Sequence, residues 1–155
     1  MTDSRSVGFI GVGNMGGAMA ERLCELGWTV GVRDIEPARE AECVRVGAAT
    51  HATPAALAAA HPVVVVAVVD AAQCDAVLFG ADGLVQGAPG AGACVVLCPT
   101  IAPESVESFA TRLDALGIDW IEAPMSGGPA RARAGTMSLM VACRDAVFEL
   151  SLIHI

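Results

Sequence analysis

A glycine-rich turn between an apolar strand and a helix constrains the fold of this chain more than any other feature. Residues 7–23 read VGFIGVGNMGGAMAERL, with the glycine pattern GxGxxG at residues 11–16 and apolar residues at helical spacing after it. In this pattern Gly11 permits the turn, Gly13 lets a pyrophosphate approach the backbone, and Gly16 lets the helix pack closely on the strand. The amides and the positive dipole end of such a helix attract phosphate. The segment predicts a dinucleotide-binding unit; the alternative is a glycine-rich turn in another α/β protein.

An acidic residue follows the second predicted strand. Residues 29–33, TVGVR, are predicted to form this strand, which ends at Asp34, 18 residues after Gly16. An acid about 20 residues beyond the glycines is expected to bind the adenosine ribose and to repel a 2′-phosphate. Strand alternation predicts that Arg33, one residue earlier, points to the opposite face. The pattern therefore indicates NAD as the cofactor rather than NADP.

Strand and helix patterns alternate along the whole chain. Strands are predicted at residues 7–10, 29–33, 48–50, 63–69, 94–97, 119–122 and 136–142, and helices at about 14–26, 37–46, 54–60, 70–78 and 103–116, with a loop at 124–135. The uninterrupted apolar run at 63–69 is typical of a strand buried on both faces. The order predicts an α/β fold, a doubly wound parallel sheet of Rossmann type with helices on both faces and right-handed crossovers. Residues 1–149 are expected to form one NAD-binding domain.

Composition and charge exclude several classes of function. The net charge of −8 without a basic stretch argues against nucleic acid as a partner. The longest apolar run is far shorter than the roughly 20 residues of a membrane span, and no signal peptide is recognised, so a cytoplasmic location without membrane association is expected. The six cysteines form no CxxC pair and are expected to be buried free thiols. The three histidines lie in predicted loops or at the terminus without neighbours that suggest catalysis, and no metal site is predicted.

Four segments make the chain similar to the β-hydroxyacid dehydrogenase family, which includes 3-hydroxyisobutyrate, tartronate semialdehyde and L-threonate dehydrogenases. They are FIGVGNMGGAMAERL at residues 9–23, VVDAAQ at 68–73, PTIAP at 99–103 and EAPMSGGPARARAGTMSLMVA at 122–142. Three positions depart from the family pattern: Val12 replaces a leucine, Pro99 a serine and Glu122 an aspartate.

The resemblance implies which residues form the sites. Ser126, Gly127 and Gly128 offer a hydroxyl and unhindered amides to a substrate carboxylate. Without a substrate, these three residues would form a flexible turn. Val68 and Val69 could instead be plain core residues, and the Thr100 hydroxyl could instead serve a turn or a helix entry. The arginines of the same loop, Arg131 and Arg133, are expected to be solvated. The cofactor-binding residues implied are Gly11, Gly13, Asn14, Met15, Gly16, Asp34, Val68, Val69 and Thr100.

The general acid/base that the resemblance implies is missing from this sequence. In the family a hydride passes between C4 of nicotinamide and a hydroxyl-bearing carbon, and a lysine from a second, all-helical domain handles the proton. All nine basic residues here are arginines, and residues 150–155, LSLIHI, depart from the family. We therefore assign no catalytic residue and expect the C-terminal helical domain to be absent, as in a truncated gene, an isolated domain or a damaged reading frame. The chain is expected to bind NAD weakly with little or no turnover, and the full-length protein to be a homo-oligomer.

These observations predict that the chain is the cofactor-binding domain of an NAD-dependent oxidoreductase acting on a 3-hydroxyacid or sugar acid. Residues 68–84 resemble the L-threonate dehydrogenase branch most, with Asp70 in place of an asparagine. A non-catalytic dinucleotide-binding module is the first alternative. An imine reductase is the second, although Asp34 and Ser126 both argue against it.

Overall fold

The computed structural model of the chain describes residues 5–87 and 92–152. The strands are β1 (Ser6–Ile10), β2 (Thr29–Arg33), β3 (Ala49–Thr50), β4 (Val63–Val66), β5 (Cys94–Leu97), β6 (Asp119–Glu122), β7 (Met125–Ser126) and β8 (Ser138–Leu139). The helices are α1 (Asn14–Glu25), α2 (Pro37–Val44), α3 (Pro54–Ala60), α4 (Ala71–Phe79), α5 (Pro103–Ala115), α6 (Gly128–Ala134) and α7 (Asp145–Leu152), with a 3₁₀ turn at Leu84–Gly87.

Six strands form one parallel sheet in the order β3-β2-β1-β4-β5-β6, and β7 and β8 form a separate antiparallel pair. The order reverses direction between β1 and β4, so the chain winds outward from the centre twice. This is the doubly wound topology in which ligands bind beyond the carboxyl ends of the strands at the switch point. The predicted Rossmann-type fold is confirmed.

The helices bury apolar residues on both faces of the sheet. On one face, Leu57, Leu78 and Leu113 of α3, α4 and α5 are fully buried against alternate residues of the central strands. On the other face, α1, α2 and α6 cover the intervening residues, such as Phe9 and Val32. The continuous apolar strands seen in the sequence therefore reflect burial on both sides. Within the two described ranges, no helix is both long and apolar enough to cross a membrane.

Two paired glycines make room for side chains beneath the first two strands. Gly8 and Gly31 are opposite each other in the β1–β2 register. A Cβ atom on Gly8 would lie 2.2 Å from Cδ2 of Leu57, and one on Gly31 would lie 2.2 Å from Nε2 of His61. The absence of side chains at these two positions lets α3 and the residue after it approach the sheet closely.

His61, just after α3, is buried and contacts two other side chains of the fold. It is 6% exposed, its Nδ1 lies 2.8 Å from Oγ of Ser6, and its Nε2 lies 3.3 Å from Nε2 of His51. Burial, and next the nearby His51, lower the pKa of His61 from its ordinary value of 6.5. His61 is therefore a buried neutral residue of the fold. His154 lies outside the described residues.

Three predicted boundaries are wrong. The strand predicted at 63–69 ends at Val66, because Asp70 caps α4 by accepting a hydrogen bond from the Gln73 amide and the chain leaves the sheet before it. The loop predicted at 124–135 contains β7 and the whole of α6, whose Ala132 packs in the core. The strand predicted at 136–142 is reduced to β8 and an isolated bridge between Glu122 and Ala142.

The end of the chain forms one further helix. α7 extends from Asp145 to Leu152, across the boundary predicted at residue 149, and Val147 packs against the sheet. Residues 153–155 of the predicted tail lie outside the described residues. The division at residue 149 therefore stays a prediction.

The buried His61 predicts a loss of stability on mild acidification. Its lowered pKa means that the unfolded chain binds the proton more readily, so its contribution is complete above pH 6.5 and is lost as the pH falls below that value. The slope for one such group is at most about 1.4 kcal/mol per pH unit. Urea unfolding of wild type between pH 7.5 and 5.5 should show this loss. His61→Asn should abolish it, whereas His51→Asn, which keeps His61 and its burial, should retain most of it; an unchanged slope in His61→Asn would contradict the assignment.

Candidate functional site

Backbone hydrogen bonds join the carboxyl ends of the parallel strands into one continuous edge. The Gly11 amide donates to the Arg33 carbonyl over 2.9 Å, and the Ala67 amide donates to the Ile10 carbonyl over 2.8 Å. The series continues from the Cys98 amide to Val66 and from the Ala123 amide to Leu97. Every residue predicted to bind cofactor or substrate follows one of these strand ends, in a loop, in the first turn of α1 or α6, or in β7. The parallel order therefore places the segments that begin at these strand ends side by side at one end of the sheet.

The glycine turn between β1 and α1 has the shape that a pyrophosphate site needs. Gly11 has φ +88°, and a Cβ there would lie 2.8 Å from the Ala67 carbonyl oxygen. A Cβ on Gly16 would lie 2.0 Å from the Gly11 carbonyl oxygen, so the helix rests directly on the turn. A Cβ on Gly13 would meet nothing within 4 Å, so the space beyond this residue is open. Two glycines thus serve close packing, and the third leaves room for a ligand.

The start of α1 is free of side-chain capping. Gly13 is its N-cap residue and no side chain caps the helix there. The first amides of a helix have no partner within it and carry its positive dipole end, as phosphate binding requires. Asn14, the first helical residue, is exposed, whereas Met15 is half-buried and packs against the core. The backbone of this turn fits the diphosphate of a dinucleotide.

Asp34 is held by backbone amides from two different loops. Its Oδ2 accepts the Val12 amide of the glycine turn at 2.7 Å, and its Oδ1 accepts the Glu36 amide at 2.9 Å. A carboxylate has about four lone-pair positions, so these two bonds fix its direction and leave acceptors for ribose hydroxyls. The geometry joins the predicted phosphate and ribose contacts into one unit.

Glu40 belongs to the corner between β2 and α2, and the sequence pattern did not single it out. Its Oε1 accepts the Asp34 amide at 2.9 Å and the Arg33 guanidinium at 3.1 Å. Arg33 Nη1 also contacts the Asp34 carbonyl oxygen. The expectation that Arg33 points away is therefore wrong, because its long side chain folds back to the corner that carries Asp34. The available signal was an acid in the first turn of α2.

The residues predicted after β4 and β5 lie in loops beyond the strand ends. Val68 is half-buried beside the core, and Val69 is 79% exposed, with its amide donating to Oε1 of Gln73 at 3.0 Å. The sequence predicted that the two valines end the strand, and this prediction is wrong. Val69 is also not a core residue. Thr100 is exposed between β5 and α5. All three are accessible at the same edge as the glycine turn.

The predicted substrate loop is supported by packing between α6 and α1. Ser126 is exposed in β7, and Gly127 and Gly128 have φ +125° and +73°, conformations that favour glycine. An ion pair of 3.0 Å links Arg133 near the end of α6 to Glu21 on α1. Gly135, just after α6, also lies close to the Arg22 side chain, so the end of α6 lies beside the second half of α1. Arg133 thus has a structural partner on the protein surface.

Other reactive groups do not contribute to this edge. Burial raises the pKa of Cys43 and Cys74 to about 11, and that of Cys94 and Cys98 to about 12, which keeps these thiols protonated. Among the described residues, no group of three or more histidine, cysteine, aspartate or glutamate side chains could hold a metal ion. A groove of about 460 Å³ between α5 and β6 contains none of the predicted site residues.

The sequence matches one family model over almost its entire length. Residues 6–152 match the NAD-binding domain of 6-phosphogluconate dehydrogenase. L-threonate dehydrogenase of Cupriavidus necator is 37% identical over 148 residues, covering 96% of this chain and 50% of the relative. 3-Hydroxyisobutyrate dehydrogenase of Pseudomonas aeruginosa is 37% identical over 142 residues, covering 91% and 46%. The chain thus spans about half the length of the curated relatives it matches, and the predicted family resemblance is confirmed.

Solved structures agree with the sequence matches. Psf3 in complex with NADP⁺ and 2-OPP superposes with a TM-score of 0.88 at 32% identity, covering 96% of this chain and 53% of the other. An imine reductase variant from Myxococcus stipitatus in complex with NAD⁺ superposes with a TM-score of 0.87 at 22% identity, covering 96% and 50%. The second likeness shows a shared fold alone. The chain is an NAD-binding domain.

The glycine turn predicts two separable substitution effects. Gly13→Ala places a methyl group in open space, so it should change the unfolding free energy by less than about 1 kcal/mol while weakening NADH binding about tenfold. Gly16→Ala drives a methyl group into the Gly11 carbonyl, so it should lower stability by about 1–3 kcal/mol and also weaken binding. Urea unfolding and NADH fluorescence titration measure the two quantities. Equal destabilisation by both substitutions would contradict the different roles of the two glycines.

Proposed function

The chain belongs to the NAD-binding domain family of 6-phosphogluconate dehydrogenase, and from that premise we propose that it is the cofactor-binding part of an NAD-dependent hydroxyacid dehydrogenase. The observation that supports the proposal is the shared carboxyl edge of the sheet, where the open glycine turn, the oriented Asp34 carboxylate and the segment that leads to Ser126 all follow strand ends. The substrate class is a 3-hydroxyacid or a sugar acid, since L-threonate and 3-hydroxyisobutyrate dehydrogenases are among the relatives.

NAD is the proposed cofactor in preference to NADP. The Asp34 carboxylate is held toward the glycine turn by the Val12 amide, where it can accept bonds from ribose hydroxyls. A 2′-phosphate at that position would meet the negative charge of Asp34. The similar Psf3 binds NADP⁺, so the family fold does not decide this preference.

The loop at Ser126, Gly127 and Gly128 is proposed to bind the carboxylate of the substrate. It presents an exposed hydroxyl and two residues without side chains that would block their amides. A carboxylate accepts several hydrogen bonds at once, which this arrangement can supply. NAD, held by the glycine turn and Asp34, would supply the hydride acceptor for the hydroxyl-bearing carbon of such a substrate. Val68, Val69 and Thr100 would then border the nicotinamide from the neighbouring loops.

The proton-transfer group of that reaction is proposed to lie outside these 155 residues. The sequence contains no lysine, and the described histidines are part of the fold at His51 and His61. Proton transfer by a positioned group typically contributes 10²–10⁴-fold to a rate, about the loss expected without it. The chain alone therefore binds the cofactor without sustaining turnover.

An imine reductase is the competing enzyme class with the same fold. The carboxylate-binding loop at Ser126 and the ribose-facing Asp34 both favour a hydroxyacid and NAD. A non-catalytic binding module would have no use for that loop. The test of Ser126 below separates these readings.

The cofactor preference is tested by titrating the purified chain with NADH and NADPH. Wild type should bind NADH about tenfold more tightly than NADPH, because only NADPH carries a 2′-phosphate that the Asp34 carboxylate repels. Asp34→Asn removes the charge and should reduce that ratio, mainly by improving NADPH binding. Binding of NADPH by wild type at least as tight as that of NADH would refute the proposal.

The substrate class is tested by binding and by turnover. Saturation-transfer NMR in the presence of NAD⁺ should detect 3-hydroxyisobutyrate or L-threonate on the wild-type chain, with a weaker signal for Ser126→Ala because a hydroxyl donor is lost. Ser138→Ala is the matched control, since Ser138 is exposed and pairs with Ser126 in the β7–β8 register. NADH formation from either acid should stay near background. Robust turnover, or equal effects of the two serine substitutions, would contradict the proposed roles.

A further inference from the structure

The corner between β2 and α2 contains a cation that has no role in the proposed binding of ribose by Asp34. Arg33 Nη1 contacts the Asp34 carbonyl oxygen and lies 3.1 Å from Oε1 of Glu40. The guanidinium is therefore next to the residue whose carboxylate faces the ribose. A positive charge at this corner would attract a 2′-phosphate if it were free to move.

Glu40 pairs with this cation through an oxygen that also accepts a backbone hydrogen bond. The same oxygen, Oε1, accepts the Asp34 amide at 2.9 Å. The Glu40 side chain is 14% exposed and that of Arg33 is 29% exposed, so the pair is screened less than a surface ion pair. One carboxylate thus neutralises Arg33 and fixes the peptide that orients Asp34.

A second acid at the corner does neither of these things. The Glu36 side chain is 67% exposed and pairs with Arg39 at 3.6 Å, one turn along α2. Its contribution to Asp34 comes from its backbone amide, which any residue except proline supplies. Glu36 therefore matches Glu40 in charge and location but lacks its contact with Arg33.

We propose that Glu40 is a specificity-determining residue that keeps Arg33 from binding a 2′-phosphate and so maintains the preference for NAD. The inference rests on the proposed NAD preference and adds a second residue to it. Asp34 repels the phosphate directly, and Glu40 acts through Arg33. Loss of Glu40 frees the Arg33 guanidinium at the corner, where it can pair with a 2′-phosphate.

The experiment measures nucleotide affinities of the whole chain without any turnover. Dissociation constants for NADH, NADPH, 5′-ADP and 2′,5′-ADP are compared in wild type, Glu40→Ala, Glu36→Ala and the double variant Arg33→Ala/Glu40→Ala. Glu40→Ala should raise the ratio of NADPH to NADH affinity about tenfold, the size of one charged hydrogen bond, and should do the same for 2′,5′-ADP over 5′-ADP. The double variant should return to the wild-type ratio, and Glu36→Ala should not depart from it.

Three results would overturn the inference. Equal gains in Glu36→Ala would indicate a general charge effect, equal weakening of both nucleotides in Glu40→Ala would indicate a backbone role alone, and a gain that persists in the double variant would exclude Arg33. Should Glu40→Ala unfold, Glu40→Gln removes the charge while keeping an acceptor for the Asp34 amide. The cofactor proposal fails separately, through a wild type without NADH preference, and a wild type that binds neither nucleotide refutes both.

Discussion

The close approach of α1 to the carboxyl end of β1 is the constraint on which the rest of the site depends. A Cβ on Gly16 would lie 2.0 Å from the Gly11 carbonyl oxygen, and a Cβ on Gly11 would lie 2.8 Å from the Ala67 carbonyl oxygen. Any other residue at either position would move the helix away from the sheet or distort the turn. Because the helix can start there, its free amides point over the switch point between β1 and β4, where a ligand can reach them.

Hydrogen bonds between loops turn this local geometry into a recognition surface. The Val12 amide belongs to the glycine turn, and Asp34 belongs to the next crossover, so their 2.7 Å bond fixes the backbone proposed to bind phosphate relative to the carboxylate proposed to bind ribose. Glu40 extends the same network by one helix turn. These polar groups are paired in the structure as it stands, which lowers the ordering that cofactor binding must supply.

Turn residues on either side make the bounds of a short strand predictable. The strands predicted at 29–33, 94–97 and 119–122 match β2, β5 and β6 residue for residue. The predicted end of β4 is wrong because local composition misleads there. The valines at 68 and 69 continue the apolar run of β4, but the capping requirement of α4 at Asp70 removes them from the sheet. The glycines before α6 hid a helix in a segment that reads as a loop. Arg33 and Glu40 could not be paired from sequence, since their contact depends on how α2 packs beside β2.

Under the proposed function, the described residues would bind the nucleotide without completing the catalytic site. Val69, Thr100 and Ser126 are exposed, so the described residues would not enclose a ligand at this edge in a water-free cavity. Electrostatic stabilisation and proton transfer both depend on such exclusion, since a low-dielectric surrounding strengthens the interactions that act on developing charge. Positioning would need only the residues of this edge, which lie within residues 6–152, the part that matches the family. Under the proposed function, the described contacts orient the groups that would receive the nucleotide, and the proton-transfer group is proposed to lie outside these 155 residues.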